Sequence, residues 1–135
     1  MGFMSVKTFV DTSVLVYAHD SSAGEKYEQA KSLVRQLWIE KAGVLSTQVL
    51  QEFYITVRKK VLRPRNVDTA KRWLLHYVNW RIIENDGSAI FEAIDIERRY
   101  QLSFWDALIL QAADRAGTTL LYSEDLNHGQ RYGAG

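Results

Sequence analysis

The chain has 135 residues, 47% of them hydrophobic and 24% charged, with a formal net charge of +1. That is the make-up of one folded domain and excludes a disordered chain. With no cysteine, disulfides, zinc–thiolate sites and cysteine nucleophiles are excluded as well.

Lys7 to Val10 reads as a short buried strand ending at Asp11, and Thr12 or Ser13 then caps a helix through Val14 to Ala18. Residues 20–24 are a loop. The spacing predicts a helix from Glu25 to Ala42, with Tyr27, Ala30, Leu33, Val34, Leu37 and Trp38 on one face and Gly43 as its stop. Val44 to Ser46 is a second strand. A helix from about Gln48 to Val61 follows, with Val49, Phe53, Val57 and Val61 spaced by four. Pro64 marks a turn before a helix over Val67 to Tyr77. Arg81 to Ile83 is a third strand, Asn85-Asp86-Gly87 a turn, and helices follow at Ser88–Tyr100 and Phe104–Ala116. Thr119 to Tyr122 is the fourth strand. Short strands alternating with helices indicate a single α/β domain over residues 1–135 with a mainly parallel sheet, whose sites form beyond the carboxyl ends of the strands. No stretch is apolar and long enough to span a bilayer and no export signal opens the chain, so a cytoplasmic location is expected.

Four acids stand beside apolar segments: Asp11, Glu52, Asp106 and Asp125. A carboxylate there is costly without a partner. Asp11 and Asp125 follow strands, whereas Glu52 and Asp106 flank the buried stripes of their helices, so the four can converge on one pocket. A shared hard cation, Mg²⁺ or Mn²⁺, accounts for all of them. Each also has a local explanation. Asp11 fits a helix cap, Glu52 an exposed helical residue and Asp125 a turn. Asp106 has the strongest one, because Ser103-Phe104-Trp105-Asp106 matches a variant capping box. Glu124 is a further candidate ligand or an exposed neighbour. Arg58, Lys59, Lys60, Arg63 and Arg65 form either a phosphate-facing rim or a solvated helix end.

The segments FVDTSVLVYA, STQVLQEFY, WDALILQAA and YSEDLNHGQ, taken in that order, resemble the PIN-domain ribonucleases, particularly VapC-type toxins of toxin–antitoxin pairs. No one segment is specific, but the ordered set is, and it spans nearly the whole chain. The resemblance implies a three-layer α/β/α sandwich and metal-binding, catalytic roles for Asp11, Glu52, Asp106 and Asp125. Ser13 and Ser123 would be supporting polar residues, with helix capping the alternative for Ser13. It also implies an RNA substrate, a Mg²⁺ or Mn²⁺ cofactor, common homodimerisation and a cognate antitoxin. Many relatives continue into a final strand, whereas this chain stops at Tyr132-Gly133-Ala134-Gly135, so that strand is expected to be absent or shortened. In the implied chemistry, cations offset the clustered charge and assist attack of water on an RNA phosphodiester. The rival reading is a non-catalytic module using the same fold to engage RNA or protein. His19, His76 and His128 show no acid–base pairing pattern. Trp38, Tyr54, Trp73, Tyr77 and Trp80 read first as core, and otherwise as an antitoxin groove or dimer surface.

Overall fold

The computed structural model describes residues 6–123. Four strands, β1 (Thr8–Val10), β2 (Gly43–Ser46), β3 (Arg81–Ile83) and β4 (Leu120–Tyr122), form one sheet in the order β3-β2-β1-β4. Every pairing is parallel, with Phe9 against Val44 and Leu121, and Leu45 against Ile82. Six helices connect them: α1 (Thr12–Tyr17), α2 (Glu25–Glu40), α3 (Thr47–Lys59), α4 (Val67–Tyr77), α5 (Gly87–Tyr100) and α6 (Phe104–Arg115). The parallel α/β fold expected from the alternation is thus present. Parallel strands need crossover helices, and these bury the two central strands β1 and β2 throughout, whereas Arg81 at the start of the edge strand β3 stays exposed.

Most helices begin at a side-chain cap. Ser46, Asn66, Asp86 and Ser103 each accept a hydrogen bond from the amide three residues on. Asp86 is held below its ordinary value by the Ala89 amide and then by Arg115, which also reaches Glu92 and so ties α6 to the start of α5. The core is built from Phe9, Val10, Leu15, Val44, Leu45, Val49, Phe53 and Ile109. The apolar stripe expected on α3 is buried at Val49, Phe53 and Val57.

The end of α2 departs from expectation. The helix stops at Glu40, and Lys41 takes the left-handed cap position at φ 55°. Gly43 is instead the first residue of β2, and it is there to let Trp80 approach. A Cβ at Gly43 would lie 2.3 Å from two atoms of the Trp80 ring. Asp11, not Thr12 or Ser13, caps α1.

Of the aromatic residues expected mainly in the core, Tyr77 and Trp80 are buried, Tyr54 and Trp73 half-buried and Trp38 exposed. His19 joins them, stacked 4.2 Å from Trp73, edge-on to Phe53 and 2.6 Å from the Tyr77 hydroxyl. Trp38, Trp73 and Tyr77 also line a cavity of about 800 Å³ between α2 and α4.

Burial, and secondarily the Arg65 charge, pushes His19 down to about 4; burial also raises Tyr77. The folded protein therefore keeps His19 neutral where the unfolded chain binds a proton, below about pH 6.5. Its contribution is fully present above that pH and is lost as pH falls toward 4. By pH 5 the loss is about 2 kcal/mol. Urea unfolding of the parent and of His19→Gln at pH 7 and pH 5 checks this: the parent loses more stability on acidification than the variant.

Candidate active site

In the strand order, β1 leads to β2 on one side while β4 lies on the other. The crevice of an open parallel sheet forms at such a switch point, beyond the carboxyl ends of the strands. Asp11 and Ser123 sit at that point, immediately after β1 and β4. The Asp11 amide extends the pairing by donating to the Tyr122 carbonyl at 2.9 Å.

Asp11 is only 5% exposed. One carboxylate oxygen, Oδ1, accepts from the Thr12 amide at 2.6 Å. The other, Oδ2, accepts from the buried Ser123 hydroxyl at 2.7 Å. The Asp11 side chain thus caps α1 and also faces β4. The two alternatives from the sequence, cap and site residue, are compatible in one side chain. Ser13, the second residue of α1, lines a neighbouring groove with Thr12 and Glu52.

Thr12 carries the connection to α3. Its hydroxyl donates to Glu52 Oε1 at 2.7 Å. Gln48, one turn earlier on α3, places Nε2 3.5 Å from Glu52 Oε2 and donates to the Trp105 carbonyl at 3.2 Å. This last bond brings the start of α6 to the same assembly, one residue before Asp106. Asp106 is half-buried in the first turn, and the Ser103 hydroxyl accepts from its amide at 3.1 Å. That cap uses the backbone of Asp106; its carboxylate makes no hydrogen bond among the described residues. Asp125 and Glu124 lie outside the described residues.

The sequence named Thr12 only as a candidate helix cap and Gln48 only as a helix start, although Gln48 precedes Glu52 by the four residues that make helix neighbours. Gln48 is 5% exposed, and its two contacts fix the amide orientation, because both require the NH₂ group. Its Oε1 is buried and has no protein donor among the described residues.

The donor set suits a hard divalent cation, being carboxylate and hydroxyl oxygen throughout. The Thr12 amide and the Ser123 hydroxyl are neutral donors that orient Asp11. Among the described residues no three His, Asp or Glu side chains gather closely enough to hold an ion by themselves.

The PIN-domain family model matches residues 8–133. The chain belongs to the PIN-domain family. Its fold is shared with known toxin structures, all at low identity. Mycobacterium tuberculosis VapC20, described as a sarcin-ricin loop cleaving toxin, superposes with a TM-score of 0.68 at 19% identity, covering 89% of this chain and 91% of that one. VapBC2 of Rickettsia felis, bound to a DNA fragment from its promoter, gives 0.61 at 17% identity, covering 89% and 88%. FitAB bound to the IR36 DNA fragment gives 0.64 at 16% identity, covering 87% and 85%. No curated protein matches this PIN domain by sequence. None of its described helices is long and apolar enough to cross a membrane.

Proposed function

We propose that this PIN domain is a metal-dependent endoribonuclease and the toxin of a toxin–antitoxin pair. The observation that carries the reading is the buried Asp11 carboxylate at the sheet's switch point, joined through Thr12 to Glu52. Proteins of the same fold include a toxin described as cleaving the sarcin-ricin loop. Two others were crystallised on DNA. A cognate antitoxin and a second copy of the chain are the proposed protein partners.

Mg²⁺ or Mn²⁺ would be held by Asp11, Glu52, Asp106 and Asp125. The ion supplies positive charge to the scissile phosphate and makes a water more acidic. The chain's own residues supply the positions. Ser123 and the Thr12 amide fix both oxygens of Asp11, and the Thr12 hydroxyl fixes Glu52 Oε1. Glu52 Oε2, whose one contact among the described residues is the longer one from Gln48, is the atom proposed to orient the attacking water.

The purified chain is expected to cleave single-stranded RNA in Mg²⁺ or Mn²⁺, to stop in excess chelator and to resume on adding the ion back. Titration calorimetry with Mn²⁺ is expected to show heat that Asp11→Asn diminishes. Cleavage unaffected by chelator would sink the metal mechanism. Carboxylate-dependent RNA cleavage absent under every ion would leave the non-catalytic module as the better reading.

A further inference from the structure

Gln48, Glu52, Thr56 and Lys60 recur every four residues and form a ridge along α3. Twelve residues of helix rise about 18 Å. At one end Gln48 holds the Trp105 carbonyl. At the other, Lys60 closes a groove of about 660 Å³ between α1 and α3, which Glu52, Thr56 and Tyr17 also line. The acid proposed to act on RNA stands between a tryptophan and a lysine.

Both end residues are available. Trp105 is 62% exposed although its backbone is tied to Gln48, and its neighbour Phe104 braces the ring edge-on at 5.3 Å. An indole held on a rigid first turn and left facing water is a stacking platform of the kind that binds unpaired bases irrespective of sequence. Lys60 is exposed at the cap of α3, where a phosphate would meet its charge. The basic run divides at this point. Arg58 lies over Tyr54 and Arg65 over Trp73, the latter on the far cavity between α2 and α4. Lys60 is the member of the run that lines the groove containing Glu52.

We infer that a single-stranded segment of RNA lies along this ridge, with one base stacked on Trp105 and a phosphate on the other side of the scissile bond held by Lys60. The inference rests on the ribonuclease reading and adds the path of the substrate. Trp105 and Lys60 are positioning residues in this arrangement.

The test is fluorescence anisotropy of a labelled, unstructured RNA with the full chain carrying Asp11→Asn, across a range of KCl. Trp105→Ala is expected to weaken binding by about five- to a hundredfold, with Trp105→Phe retaining most of the affinity. Lys60→Gln is expected to reduce the slope of log K against log salt by about 0.7, the value for one phosphate contact on a single strand. RNA is expected to quench tryptophan emission in the parent and much less in Trp105→Phe. If both variants bind with the parent's affinity and salt slope while the active chain still cleaves RNA, the path is wrong and the ribonuclease reading survives. If Ala and Phe at 105 are equally weak and the quench persists in Trp105→Phe, stacking is overturned. Failure of the parent to cleave RNA would strike the ribonuclease reading itself, independently of these binding results.

Discussion

Asp11→Asn is expected to reduce RNA cleavage by about a hundredfold to a thousandfold, the range for removing one preorganised group that supports developing charge. The same variant is expected to stay folded. Asparagine caps helices as well as aspartate does, so its Oδ1 can still accept from the Thr12 amide. Its NH₂ group would face the Ser123 hydroxyl, which can accept as readily as it donates. Because both of these hydrogen bonds can be kept, the variant's stability in chelator should stay close to the parent's. Cleavage rates and thermal unfolding, measured on one preparation with and without chelator, check both halves. Parent-level cleavage by the variant would remove Asp11 from the mechanism, and an unfolded variant would remove the argument that the cap survives.

The second large effect is on stability. Gly43→Val is expected to destabilise the fold by about 3 kcal/mol, at the upper part of the range for overpacked cores. The added atoms would fall on the Trp80 ring, with separations of 2.3, 2.3 and 2.7 Å already at the Cβ. Trp80 is itself buried, edge-on to Tyr77 at 5.5 Å, so it cannot swing away freely. The clashing atoms all belong to the six-membered part of the indole. Trp80→Leu removes that part, so it should cost less in the Gly43→Val background than in the parent. Urea midpoints for the two single variants and the double variant would show the coupling; strict additivity would refute the contact.

Much of this fold is legible in the sequence because local chemistry and burial agree. Val49, Phe53 and Val57 are spaced for a buried helix face. Ser103 announces α6 as its capping residue. Gly43 misled for a physical reason: glycine serves equally as a helix stop and as space for a ring, and only the position of Trp80 distinguishes them. The separate candidacies of Asp11 and Glu52 were also legible, since both are acids beside apolar segments. Their connection was not. It runs through Thr12 and Gln48, ordinary polar residues whose partners lie 40 and 57 positions away in the chain. Trp105 stood in the sequence only as part of the Ser103–Asp106 capping pattern, and its exposure depends on packing that periodicity does not encode. Asp125 lies beyond the described residues, so its part remains with the sequence reading and the proposal built on it.

The hydrogen bonds named around Asp11 and Glu52 come from an amide, two hydroxyls and a carboxamide, all neutral. These donors fix geometry without adding charge. Ionic strength will screen the attraction of these carboxylates for cations and their repulsion of RNA phosphates, yet it has little hold on uncharged donors. The arrangement acts as a rigid socket whose grip can be tuned by the surrounding electrolyte without being reshaped by it.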